Sequence, residues 1–113
     1  MKKIEAIVPF SRMRATFDAL EEMGVNFTCY DTKGRGQIPT QEVEYDRGTG
    51  IFREEFNTNA LVMAVVKDSM AERIIDTILK GASTGMAGEG KIFVYELNDV
   101  IDIGSRKHGE PAL

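Results

Sequence analysis

The order of its apolar patterns constrains this chain more than any other feature. Strand-like runs and helical stripes alternate in one sequence that leaves few ways to bury them. Ile4, Ala6, Ile7 and Val8 predict a short strand that ends at Pro9, where a ladder donor is missing. Met13, Phe17 and Leu20 recur at i, i+4 and i+7, which draws one face of a helix, with Ser11 as its N-cap and Gly24 as its C′ residue. Residues 25–33, rich in β-branched and aromatic side chains, predict a second strand. The run 61–66 is apolar without alternation, as in a strand buried on both faces. Ser69 and Glu72 have the spacing of a capping box, and the helix they open carries Ala71, Ile74, Ile75, Ile78, Leu79 and Ala82 on its apolar face. Residues 91–95 predict a fourth strand and 100–103 a short fifth.

This β-α-β-β-α-β order, with a short C-terminal strand, predicts an α+β, ferredoxin-like layer of two helices on one sheet. A chain of 113 residues is one domain, spanning 1–113. Fourteen Lys+Arg against 18 Asp+Glu give a net charge of −4, so no nucleic-acid partner is expected. The apolar runs are far shorter than the roughly 20 residues that span a bilayer, and Glu5 and Pro9 interrupt any signal-peptide core. A soluble, cytoplasmic domain is expected. The single cysteine excludes an internal disulfide, and Cys29, inside a predicted strand, reads as a small buried hydrophobe. His108 lies in a polar tail and reads as solvated. No nucleophile, base and orienting group fall together, so neither catalytic residues nor a metal site are predicted, and the chain reads as a non-enzyme.

Two stretches stand outside a plain core. Between Gly34 and Thr58 lie about 24 residues with few apolar anchors, beyond the roughly 12–15 that an unstructured loop usually reaches. This segment projects from the body, either as a functional loop or as a β-hairpin turning at 46–50. The second stretch, 84–91, is a helix-to-strand connection holding Gly85, Gly88 and Gly90 and ending in Lys91. Glycines let backbone N–H groups face an anion, and the lysine adds a point charge. The string comes close to a P-loop, but Ile92 stands where Ser or Thr is required and a strand follows where a helix is needed. A P-loop NTPase is therefore excluded, and a tight turn and an anion site remain.

The opening Met-Lys-Lys-Ile-Glu-Ala-Ile, the Thr-Lys-Gly-Arg-Gly-Gln run at 32–37, the stretch Thr-Gly-Met-Ala-Gly-Glu-Gly-Lys-Ile-Phe-Val at 84–94 and the ending Gly-Glu-Pro-Ala-Leu resemble the PII signal-transduction proteins. The resemblance implies a homotrimer of ferredoxin-like subunits with an adenine nucleotide (ATP, ADP or AMP) in each of three clefts between subunits, a site that admits Mg²⁺. Residues 35–57 would be the T-loop, which addresses a membrane transporter or metabolic enzyme through residues such as Tyr45, Arg47 and Arg53. A transporter partner would bring the protein to the membrane. Residues 84–91 would be the B-loop, with Gly88, Glu89, Gly90 and Lys91 as contacts and Lys91 on a phosphate. Ile7, Thr28, Gly34, Gly36, Gln37 and Val65 would line the base, the ribose and the loop root. Residues 102–109 would be the C-loop of the neighbouring subunit.

The chain also departs from the family it resembles. Met86, Asp102 and Gly104 occupy positions where the family usually has cations, leaving Arg106 and Lys107 as replacements a few residues downstream. Weak discrimination between ATP and ADP or AMP is the expected result. The lysine that the family pairs with 2-oxoglutarate falls near Asn59, and the loop-root arginine before Gln37 is missing or shifted to Arg35, so the resemblance gives 2-oxoglutarate no support as an effector. A ferredoxin-like trimer of the metal-tolerance kind, which the absence of a Cys/His cluster disfavours, and a weak ATPase are the alternative readings.

Overall fold

A computed structural model describes residues 1–36, 38–40, 42–44, 50–86 and 89–113, with 42–44 and 52 described by their backbone alone. Eight elements follow one another: β1 (Lys2–Pro9), α1 (Met13–Glu22), β2 (Thr28–Gly34), β3 (Glu42–Glu44), β4 (Ile51–Arg53), β5 (Asn57–Val66), α2 (Asp68–Ala82) and β6 (Lys91–Glu96), with short 3-10 turns at 10–12 and 110–112. The main sheet has the order β2-β5-β1-β6 and every pairing in it is antiparallel, which is the ferredoxin-like arrangement. Both helices lie on one face of it. Ile4, Ala6 and Val8 of β1 and Val62, Ala64 and Val66 of β5 point to that side and pack with Leu20, Ala71, Ile74 and Ile78.

Within one chain, strand β5 is covered on one face only. Its residues alternate between buried and half-buried, because the helices cover only one side of the sheet. The uncovered side carries Ile7, Tyr30, Leu61, Met63, Val65, Phe93 and Tyr95, half-buried to exposed in the single chain. Among them Lys3 pairs with Glu5 at 3.0 Å and lies 4.5 Å from the centre of the Tyr95 ring. The bond to Glu5 holds the Lys3 ammonium above the usual lysine value.

Element ends show where local signals competed. Gly24, at φ +72°, closes α1: its N–H bonds to the Glu21 carbonyl at 2.9 Å and the Val25 N–H reaches the Leu20 carbonyl at 3.2 Å, a Schellman motif. Ser11 does not cap α1. The chain first makes the 3-10 turn, Arg12 takes the N-cap position, and no side chain caps it. The capping box at Ser69 and Glu72 does not form either. The helix begins earlier, behind the extended Lys67, so Ser69 already lies in the first turn. Asp68 precedes it there, a favourable charge at a helix N-terminus. The second strand starts only at Thr28, since Phe27 turns inward to meet Phe17 with ring centres 5.5 Å apart. Cys29 is exposed rather than buried, because β2 is a sheet edge. At 100–103 no strand forms; a single bridge joins Ile101 to His108.

The helices meet at Gly81. A Cβ there would sit 3.0 Å from the Thr16 Cα and 3.2 Å from its Oγ1, while the Arg12 side chain donates to the Gly81 carbonyl at 3.0 Å. Alanine gains about 1 kcal/mol over glycine inside a helix, but forcing apart a packed crossing costs about 1–3 kcal/mol. Gly81→Ala is therefore expected to lower the thermal midpoint by a few degrees. A midpoint that rises would mean the helices separate freely.

The described residues between Gly34 and Asn57, the arm, lie outside the main sheet. Within the arm β3 and β4 pair antiparallel, Glu42 opposite Arg53, as expected for a hairpin; the expected turn lies outside the described residues apart from Gly50. The molecule measures 58 Å along its long axis against 30 and 24 Å. Beneath the arm Gly34 and Asn57 are direct partners, so the ladder of β2 and β5 closes under its root.

Candidate functional site

The segment 83–91 carries α2 into β6, and its geometry follows from backbone contact. A Cβ on Gly90 would lie 2.1 Å from the Ile7 carbonyl oxygen, so glycine is the residue that lets the loop press against β1. Gly85, at φ +86°, makes the reversal at the other end. Between them Glu89 folds back: its carboxylate accepts from the Thr84 N–H at 2.8 Å, from the Thr84 hydroxyl and from the Ser83 hydroxyl at 3.4 Å. These bonds, led by the Thr84 hydroxyl, hold the Glu89 carboxyl below its ordinary range. Lys91 opens β6 directly opposite Ile7, exposed, and its ammonium bonds to no other described residue. The carboxylate is occupied and the ammonium is free.

Two hollows flank this loop. A groove of about 380 Å³ runs between the end of β1 and α2, with Ile7, Pro9, Ala82, Glu89, Gly90 and Lys91 among its lining residues. A second, of about 320 Å³, lies between the loop and the arm root and is lined by Phe10, Ile38, Asn57, Asn59, Thr84 and Met86, among others. The Asn57 amide donates to the Ile38 carbonyl at 3.0 Å and so ties the arm root to β5 beside this hollow. Of these residues sequence reasoning named Asn59, Thr84 and Met86. Phe10, Ile38 and Asn57 gave no signal, because only the folded chain brings 10, 38 and 57 together.

The remaining residues singled out in the sequence divide between two ends of the sheet. Gly34 and Gly36 lie at the arm root, on the same end as Ile7 and Lys91. Thr28 stands opposite Met63, and Val65 stands opposite Lys3. Val65 is four residues along β5 from Leu61, the partner of Ile7, which is about 13 Å of strand. Arg106 and Lys107 lie in a hairpin that leaves the far end of β6, where the Leu97 N–H bonds to the Met1 carbonyl. Arg53, on β4, donates to the Thr40 carbonyl at 2.5 Å. Gln37, Tyr45, Arg47 and Gly88 lie outside the described residues.

The C-terminal hairpin is held by two aspartates. Asp102 accepts from the Ser105 N–H at 2.8 Å, and the Arg106 N–H bonds to the Asp102 carbonyl at 2.8 Å. Arg106 sits at φ +61°, a conformation costly for a side-chain-bearing residue, and both it and Lys107 are exposed. Asp99 accepts from the backbone N–H groups of Val100 and Gly109 at 2.9 and 3.1 Å and pairs with His108 Nδ1 at 2.7 Å. His108 is thus paired rather than merely solvated. Its hydrogen bond is the main cause that lowers the Asp99 pKa. A lowered carboxyl stabilises the folded form above its unfolded value of about 3.9, and that contribution is lost as pH falls through the lower folded value. The Asp99 carboxyl carbon, followed by NMR, is expected to titrate below the ordinary value and to move back up in His108→Ala. An unchanged midpoint would remove the pair's role.

The nitrogen regulatory protein P-II family profile matches residues 1–107. The chain belongs to that family. It is 36% identical over 114 residues to nitrogen regulatory protein P-II 1 of Methanothermobacter thermautotrophicus, covering 100% of this chain and 97% of that one. To nitrogen regulatory protein P-II of Rhodospirillum rubrum it is 34% identical over 114 residues, with each chain covered in full (100%). A nitrogen regulatory protein P-II homolog of Arabidopsis thaliana is 35% identical over 111 residues, covering 97% of this chain, which spans 56% of that longer protein. The resemblance first carried by the opening residues and the 84–94 stretch is thus a family membership along nearly the whole chain. The P-II family consists of regulatory signalling proteins. Among the described residues no helix is long and apolar enough to cross a membrane.

Proposed function

We propose that this P-II family member is a signalling subunit that binds an adenine nucleotide at the 84–91 loop and transmits its occupancy to a partner protein, a transporter or metabolic enzyme, through the 35–57 arm. The observation that carries this reading is the loop itself. Gly90 is pressed on the Ile7 carbonyl, Glu89 is consumed inside the loop, and the Lys91 ammonium, opposite Ile7, pairs with no other described residue. A carboxylate turned inward and a cation turned outward suit a phosphate group. Lys91 would hold a phosphate, and Ile7 and Gly36 would border the nucleoside and the loop root.

One copy supplies an incomplete site. Ile7, Gly90 and Lys91 lie at one end of the sheet, and Val65, Arg106 and Lys107 at or beyond the other. A cleft that uses both sets draws them from two copies, and such a head-to-tail contact gives a ring where its rotation closes. The uncovered apolar sheet face supplies the surface such a ring would bury. A light-scattering mass three times that of the 12.6 kDa chain is expected; a monomer at micromolar concentration would refute the shared cleft.

Calorimetric titration with ATP, ADP, AMP and cyclic AMP, each with and without Mg²⁺ and 2-oxoglutarate, tests the ligand. Binding of at least one of these nucleotides is expected, with less than about tenfold preference of ATP over ADP, because Asp102 is locked in its own turn and Met86 brings no charge. Failure of all four to bind would end the proposal. A strong ATP preference that survives Arg106→Ala/Lys107→Ala would overturn the account of the outer phosphates.

A further inference from the structure

A third hollow, of about 220 Å³, lies at the root of the arm and is lined by Phe10, Glu54, Phe56, Asn57 and Thr58. Two large apolar rings meet water there, with Phe10 65% and Phe56 40% exposed. A scattered exposed phenyl ring needs no explanation, but here two line one cavity with a carboxylate. Glu54 is the only ionisable group among the described residues of that lining, and it bonds to no other described residue.

We propose that this hollow receives one cationic side chain, arginine or lysine, from a partner protein. Phenyl faces carry a negative quadrupole and attract a guanidinium or ammonium group lying over them, and a carboxylate at the rim supplies the opposite charge. The methylene stem of the same side chain covers apolar ring surface. The charge pattern disfavours an anionic occupant, since no cation is among the described residues that line the hollow. Arg53 and Lys33 line the adjoining cavity on the other side of Glu54 and Phe56, and the Arg53 guanidinium is bonded to the Thr40 carbonyl. Size points the same way. The hollow falls below the roughly 300 Å³ at which small-molecule pockets begin, and so suits a single side chain rather than a cofactor. Its position adds a second consideration. Phe10 also lines the hollow beside the 84–91 loop, so the docked side chain would share a wall with the candidate nucleotide cleft.

The test does not depend on nucleotide and is run on the full chain without it. The aromatic resonances of Phe10 and Phe56 and the amides of Asn57 and Thr58 are followed by NMR during titration with N-acetyl-arginine methylamide. The leucine and glutamate analogues serve as controls. Saturable shifts at these four residues with arginine are expected, at millimolar concentration, with the two controls at least several-fold weaker. Glu54→Gln is expected to weaken the arginine response about threefold, and Phe56→Leu, which keeps an apolar side chain without the ring, to weaken it by a similar factor. Spectra unchanged away from the hollow show that both variants are folded. Equal binding of arginine and leucine, or an arginine response untouched by Glu54→Gln, would overturn the proposal, as would no shift at all.

Discussion

Gly90→Ala is expected to lower the thermal midpoint by roughly 10–20 °C. The new Cβ would need to occupy a point 2.1 Å from the Ile7 carbonyl oxygen, and that oxygen belongs to the backbone of a strand paired on both sides. A flexible side chain could turn aside; a ladder strand cannot. Relief needs β6 or β1 to shift, which breaks the pairing of Ile7 with Lys91 and drags the core residues Ala6 and Val8 with it. An overpacked core site costs about 1–3 kcal/mol, and a clash with backbone lies at the upper end. Gly85→Ala is the proper comparison. It meets nothing within 4 Å, and only the positive φ opposes it, at a cost of about 1 kcal/mol. Similar midpoints for the two variants in a calorimetric scan would show that the contact with Ile7 yields.

The second large effect concerns Lys91. Its ammonium is exposed and bonds to no described residue, so Lys91→Ala removes no structural contact and is expected to leave the thermal midpoint within about 1 °C. Bonds between a charged donor and a phosphate are worth about 1.5–3 kcal/mol, so nucleotide affinity is expected to fall by about 10- to 150-fold. The pairing of these two readouts is what makes the variant informative. Lost affinity with retained stability places the ammonium on the ligand. Retained affinity removes Lys91 from the site, whatever else binds there.

Much of the fold was legible because its signals are local. The helical stripe at Met13, Phe17 and Leu20 and the glycine stop at Gly24 depend on residues within a few turns of one another, and both correspond to what the chain does. Signals failed where a local pattern met a tertiary alternative. Ser69 has the side chain for a cap, but the helix begins one residue earlier at Asp68. Cys29 has the company of a buried residue, but it lies on a strand that the sheet leaves at its edge. The unbroken run 61–66 anticipated two covered faces; one chain covers a single face. The candidate site was legible in its chemistry, through the three glycines and Lys91, and illegible in its architecture. Nothing near Gly90 in the sequence announces that its neighbour is the carbonyl of Ile7, and nothing near Phe10 announces Phe56 or Asn57. Those neighbours are set by strand order, which a linear pattern encodes only through all the elements at once.

Gly34 and Asn57 face each other across the ladder, so the body closes on itself beneath the arm. The stretch between β3 and β4 can therefore change while Ile38 and Phe56, which line hollows shared with Phe10 of the body, stay. An arm of another length asks little of the body, since doubling a loop costs only about 0.6 kcal/mol of closure entropy. Selection on the arm and selection on the core then act on separate stretches of the gene. A descendant could lengthen or rewrite the middle of the arm while the sheet, the helices, the arm root and the glycine loop keep their sequence.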